Sequence, residues 1–380
     1  MAPKRLSNSM SSKVWSKIVF FLIAFNIAFF IWSNKGIYLQ KYDYSYWQNR
    51  FDHSQYAQGD KSSYILSDSE LNTFRGYLYV QKGIDMEKFI PGHPPLASYL
   101  FGLSIAIFNN QFIASLLVGI ISLIFLCKIA LFLTNDKLTS GVITLLFSLE
   151  PIFLTQLNDS MLDIFQMCFG LIAIYNFLLW IRNNKLTSLI ISQVFIGFVL
   201  STKFVLSGAP LPVALTISTI MLNDFKKFKD FIVTLPVIGL GYIIGHLTYF
   251  FYHISPISFI KYQRYIISWW FGSAQTPPFQ VWDMIVFNRW HTWWGNMEII
   301  PIDIWGLSWP ILFIISIVSV LAFIYHRSSL KYFFPLYLFF GISLLLYSFE
   351  TVYPRHLLFI FPIAYLLTAL AIIKLKCLKK

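Results

Sequence analysis

The sequence predicts an all-α polytopic membrane protein with about ten transmembrane helices, and three observations carry that expectation. Its 380 residues are 57% hydrophobic and 12% charged, with a mean hydropathy of +0.64, where soluble domains are nearer half apolar and a quarter charged. The excess lies in runs such as Phe112–Leu133 and Leu307–Tyr325, close to the ~20 residues that cross a bilayer as a helix. Lysines and arginines cluster at alternate ends of these runs, the asymmetry that orients spanning helices.

The chain opens on a basic segment with Lys4, Arg5, Lys13 and Lys17, followed by an apolar run at Ile18–Trp32 that lacks a small-residue cleavage site. It reads as an uncleaved signal anchor with its N-terminus in the cytoplasm. The first span, 18–34, leads into a polar outer loop over 35–110. Within that loop Leu96–Phe108 is apolar, but making it a span would scatter the later basic loops outside, so it belongs at the outer interface. Further spans are expected at 112–133, 139–157, 161–181, 187–205, 208–223 and 231–251. A second outer loop at 252–303 precedes spans at 304–325, 332–349 and 356–374 and a basic tail at 374–380. The stretch 187–223, interrupted by Lys203, is either divided at Ser207-Gly208-Ala209-Pro210 or a single kinked element.

Both termini then lie in the cytoplasm. The cytoplasmic ends, among them Lys128, Lys137, Arg182, Lys185, Lys226, Lys227, Lys229, Arg327 and Lys331, hold 17 of the 29 basic residues and 3 of the 17 acids. That face is +14 and the outer face −2, so the net charge of +12 belongs to membrane topology and not to nucleic acid. Cys127, Cys168 and Cys377 show no metal-site or disulfide spacing. The chain reads as a single membrane domain over 1–380, embedded in membrane lipids, with its chemistry on the extracytoplasmic face of a cell membrane (the lumenal face in a eukaryotic cell).

Ionisable residues at membrane depth are functional candidates by default, and here they gather toward that face. Asp68 and Glu70 open a segment in which Leu71, Phe74 and Leu78 have helical spacing. Ser67 with Glu70 matches a capping box. Capping and catalysis are compatible, because a carboxylate fixed at a helix start is well placed to accept a proton. Asp163 opens an apolar span after Asn158 and Asp159, where it needs a cation or polar partner. It serves either a structural ion pair or helix-dipole contact, or a ligand. His93-Pro94-Pro95 is a rigid turn that starts a helix. Lys203, Arg264, Arg289 and Arg355 can hold a phosphate by charge-assisted hydrogen bonds or pair with the acids. The aromatic stretches SWWFG (268–272) and NRWHTWWGN (288–296) suit an interfacial belt, a sugar-stacking surface or a cover for a lipid tail.

These features together resemble the GT-C membrane glycosyltransferases, nearest the protein O-mannosyltransferase-like branch of phospholipid-carrier-dependent enzymes. The resemblance rests on SDSELNTFRGYLYVQKG, the turn HPPLASYLFGLSI, EPIFLTQLNDSMLDIF, STKF, NRWHTWWGN and PRHLLFIFP. It departs from the family where adjacent acids are replaced by Asp68-Ser69-Glu70, where Ala97-Ser98 stands in place of Gly-Lys, and in lacking a large luminal domain. The resemblance implies a GT-C fold whose first outer loop forms short juxtamembrane helices. It also implies inverting transfer of a sugar, expected to be mannose, from a polyprenyl- or dolichyl-phosphate carrier to a protein, lipid or glycan hydroxyl. Asp68 would be the general base, with Glu70 and Asp163 orienting the acceptor or base or holding a divalent ion. Relatives differ in metal dependence, and the sequence requires no cofactor. Lys203 and Arg355 would stabilise the leaving phosphate, with His93, Arg264, Arg289 and His291 as further substrate contacts. The alternative is a transporter or lipid-linked-sugar flippase, which would place ionisable groups near the midplane beside broken helices and an inverted repeat. No repeat is present, and Glu150-Pro151 is the one feature pointing that way.

Overall fold

Prolines open several of the helices and asparagines close several others. In the computed structural model, which describes residues 10–89, 92–273, 276–292, 298–326 and 332–378, helices begin at Pro151, Pro210, Pro236 and Pro256. A missing N–H costs nothing in the first turn. Asn109, Asn135, Asn184 and Asn288 follow helices in the left-handed region and donate their N–H groups back to the last turn, a conformation asparagine tolerates better than branched residues.

The all-helical polytopic class holds. Three helices, from Lys13 to Ser33, Phe112–Thr134 and Asp163–Asn183, are long and apolar enough to span a membrane alone. The expected span at 139–157 is not one helix: Lys137–Ser148 and Pro151–Leu157 meet at 69°. Pro151 cannot continue the preceding ladder and holds Glu150 extended (φ −64°, ψ 128°). Asn26 on the first helix donates to the freed Ser148 carbonyl at 2.8 Å.

Two other boundaries move. The break within 187–223 falls at Lys203-Phe204 and not at 207–210: Lys203 is extended (φ −139°, ψ −176°), while Ala209 is helical and Pro210 opens its helix. The segment 231–251 is also discontinuous. Phe225–Thr234 and Pro236–Ile244 join through Leu235, and the second helix ends at Gly245. The remaining expected spans are shorter apolar helices, including Ser308–Leu321, Phe334–Tyr347 and Phe361–Ile373. A hydropathy sum runs across such breaks without registering them. The first loop does form short helices, at Lys35–Leu39, Tyr44–Asp52, Gln55–Gln58 and Asp68–Gln81. Lys4, Arg5, Arg327, Lys331, Lys379 and Lys380 of the expected basic ends lie outside the described residues.

Asp163–Asn183 is the axis of the core: 83% of its apolar window is buried, against 17% for the first helix. Small residues let its neighbours approach. A Cβ on Gly170 would meet Phe359 at 2.4 Å, and one on Gly197 would meet the Ile238 carbonyl oxygen at 2.4 Å. The same device seats the first-loop helix. Asp68–Gln81 lies on Leu96–Phe108 with Gly76 and Gly102 at the crossing, where a Cβ on Gly102 would stand 2.1 Å from the Gly76 oxygen.

Candidate active site

Four segment ends converge where the first loop meets the bundle. Asp68 is the first residue of its helix, and the cap beside it explains Glu70. Ser67 Oγ accepts from the Glu70 N–H, while Glu70 Oε2 accepts from Ser67 N and Oγ, both at 2.9 Å. The other oxygen, Oε1, accepts from Tyr64 at 2.6 Å and meets Arg50 at 2.9 Å. Glu70 thus faces away from Asp68 and anchors the helix start. Ser69 donates to Asp159, which also accepts from the Ser160 N–H at 2.8 Å. This contact ties the Asp68 helix to the turn before Asp163.

Asp163 begins the axial helix, Lys203 follows the next one, and Arg355 sits in the 3-10 turn Pro354–Phe359. Lys203 Nζ is 2.5 Å from Asp163 Oδ1. The Arg355 Nη2 donates to Asp68 Oδ2 at 2.6 Å, and its Nε lies 3.6 Å from Asp163 Oδ2. Two cations and two carboxylates therefore alternate in one chain, Asp68–Arg355–Asp163–Lys203. The two acids differ in access: the Asp68 side chain is 42% exposed and Asp163 3%. The Arg355 guanidinium also lies 3.9 Å from the Tyr353 ring centroid, a cation–π contact that helps hold its plane.

His93 borders the cluster. Its ring is 4.7 Å from Trp270, whose indole N–H donates to the Gly92 carbonyl at 2.7 Å. Burial, with Arg75, Lys203 and Arg355 nearby, pulls the His93 pKa well below the ordinary histidine value, so it is a neutral imidazole. Glu350 is pushed up to about 7 by burial, with Lys203 drawing it back. Burial also raises Asp159, against its hydrogen bonds and Arg355.

Arg75 is a buried charge near His93 that sequence reasoning missed. Only 1% exposed, it donates to Asn72 at 2.7 Å and Ser98 at 3.1 Å. Its signal was available, since Arg75 falls on the face defined by Leu71 and Leu78. The structure does not gather every candidate. Arg264 and Arg289 are exposed, and His291 pairs with Asp283 at 2.9 Å. Among the described residues no ion pair joins these three to the cluster. Trp293 and Trp294 lie outside the described residues.

The donor set does not suit a divalent ion. Asp68 and Asp163 are bridged by Arg355, a cation already in the place a metal would take. Among the described residues no three His, Cys, Asp or Glu side chains converge as metal ligands.

Comparison with known proteins bears on the fold. A family model described as dolichyl-phosphate-mannose-protein mannosyltransferase matches residues 92–251. That segment includes His93, Asp163 and Lys203 but neither Asp68 nor Arg355. Two crystal structures of ArnT from Cupriavidus metallidurans are similar in fold. The apo form gives a TM-score of 0.52 at 12% identity, covering 80% of this chain and 54% of that one. The form bound to undecaprenyl phosphate gives 0.53 at 11%, covering 81% and 56%. The chain thus spans little more than half the length of ArnT. No curated protein matches its sequence.

Proposed function

We propose that this chain, a polytopic membrane protein with a GT-C glycosyltransferase fold, transfers a sugar from a lipid-phosphate carrier to an acceptor hydroxyl. The family match and the ArnT-like fold support carrier dependence. Mannose as the sugar, inversion at the anomeric carbon and an extracytoplasmic active face complete the proposal. The carrying observation is the alternating cluster Asp68–Arg355–Asp163–Lys203, with one exposed and one buried carboxylate.

In this reading the cluster satisfies its own charges until substrate arrives. A donor phosphodiester brings oxygens that compete for the fixed guanidinium and ammonium, the groups best suited to a phosphate. When Arg355 turns to that phosphate, Asp68 loses its ion-pair partner and is left facing the acceptor. The acceptor O–H proton passes to Asp68 as its oxygen attacks the anomeric carbon from the face opposite the phosphate. The carbon–oxygen bond to the carrier breaks, and the departing lipid phosphate keeps the electron pair beside Arg355 and Lys203. Asp163, whose two oxygens face Lys203 and Arg355, is a positioning residue that holds both cations. Glu70 positions Asp68 through the helix cap. His93, neutral, lines the site. Arg264, Arg289 and His291 are not needed for this step.

One observation favours the transporter reading: Glu150 is 3% exposed at the bend within the bundle and accepts from Tyr365. The test separates the two. Membranes carrying wild type or Asp68→Asn are given radiolabelled polyprenyl-phosphate mannose. Transfer by wild type, falling roughly 10²–10⁴-fold in the variant, is the expected outcome. Full activity in Asp68→Asn would remove Asp68 as base. Carrier movement without transfer would establish the flippase.

A further inference from the structure

At the bundle end opposite the cluster, the helix Phe225–Thr234 (FKKFKDFIVT) divides into three faces. One packs inward: Phe231 is 1% exposed between Trp180 and Phe177, Thr234 is buried, and Lys227 Nζ donates to the Ile181 carbonyl at 2.8 Å. Asp224 caps the start by accepting from the Lys227 N–H at 3.2 Å. The second face is apolar and turned outward, with Phe225 80%, Phe228 37% and Ile232 41% exposed, and Met221 before it 63%. Phe225, Phe228 and Ile232 follow helical spacing within one helix, so they form a stripe. The third face carries exposed Lys226 and Lys229, with Val233, 67% exposed, between them around the helix. Arg182, in the last turn of the axial helix that Lys227 caps, and Lys185, just beyond its end, are exposed as well.

We propose that Phe225–Thr234 is an interfacial helix that binds anionic phospholipid headgroups, its apolar stripe in the acyl boundary and Lys226 and Lys229 on the lipid phosphates. The occupant follows from charge and depth together. A soluble acidic partner would account for the lysines but leave the phenylalanines in water. A neutral lipid would cover the phenylalanines but give the ammonium groups no counter-ion. A basic polar face beside a bulky apolar one is the composition of helices that lie in the headgroup region, and juxtamembrane lysines gain from an anionic leaflet. The acids on the helix and its cap do not cancel the patch, since Asp224 and Asp230 stand against Lys226, Lys227 and Lys229 with Arg182 and Lys185 adjacent. Asp230 is a single carboxylate among Lys226, Lys227 and Lys229.

The test uses the full chain purified in a neutral detergent. Phosphatidylglycerol and phosphatidylcholine are titrated in turn, and bound lipid is counted by native mass spectrometry. Wild type should retain phosphatidylglycerol preferentially, and Lys226→Gln/Lys229→Gln should lose about fivefold in affinity per lysine, roughly 25-fold together. Lys226→Arg/Lys229→Arg should keep the preference, showing that charge carries it. Phe225→Ala/Phe228→Ala should weaken both lipids alike. Competition by glycerol 3-phosphate as strong as that by the lipid would show a phosphate site and overturn the lipid assignment. Equal retention of the two lipids by wild type, or an undiminished preference in the Lys→Gln variant, would overturn it as well.

Discussion

Replacing Asp163 by asparagine should unfold this protein more than it alters any contact with substrate. The carboxylate is 3% exposed and the Lys203 side chain 7%, at 2.5 Å. The substituted amide would keep the volume but leave the ammonium buried without a counter-charge, and would strip Arg355 of its second anion. Removing one partner of a buried pair costs about 3–5 kcal/mol, because the remaining charge is uncompensated. At roughly 2 °C per kcal/mol for a chain of this size, melting should fall by roughly 6–10 °C. With Cys127 and Cys377 replaced by serine, a thiol-reactive fluorogenic dye suits the measurement, since Cys168 is 1% exposed and reacts only as the bundle opens. Asp163→Asn/Lys203→Met, which removes both charges, should recover most of the loss yet remain without transfer activity. The reasoning fails if Asp163→Asn melts within about 2 °C of wild type, or if the double variant melts no higher than the single one.

Other expectations follow from neighbouring geometry. Arg355→Lys keeps the charge but not the fork that reaches both carboxylates, so the donor KM should rise about tenfold in steady-state kinetics. Gly102→Ala places a methyl 2.1 Å from the Gly76 oxygen; prising the two helices apart should cost about 1–3 kcal/mol in the same melting assay and lower kcat through displacement of Asp68. Glu350 titrates near 7 in the fold against 4.5 ordinarily. The folded state therefore holds a proton that the unfolded chain releases. The stability this gives is complete below about pH 4.5, declines as pH rises, and is gone above about pH 7. Glu350→Gln should flatten that part of the melting profile.

Much of the architecture was legible from local chemistry. The first apolar helix, the run Phe112–Thr134 and the capping box at Ser67 and Glu70 all depend on residues within a few turns of one another. Breaks inside apolar runs were harder to read. Pro151 announces its own break, but Lys203 ends its helix with its side chain 2.5 Å from an aspartate forty residues earlier, and no window centred on Lys203 contains that partner. The candidate residues divide in the same way. Asp68, Asp163, Lys203 and Arg355 stood out as charges in an apolar chain. Arg264, Arg289 and His291 stood out equally, and packing left them apart.

Composition and interactions over one or two turns are enough to make the chain helical and membrane-embedded, to place its caps and prolines, and to load it with more ionisable groups than a lipid environment accepts without use. Packing of the whole bundle is what joins residues 68, 163, 203 and 355 into one alternating chain of charges. Packing also leaves Asp68 open while sealing Asp163, turns Glu70 to its own helix cap, and buries Arg75 against Asn72 and Ser98. Ion pairing and burial depend on distances of a few ångströms between segments as many as 287 residues apart. Those distances are set by how glycine-lined helices pack, a property of the whole bundle and of no single segment.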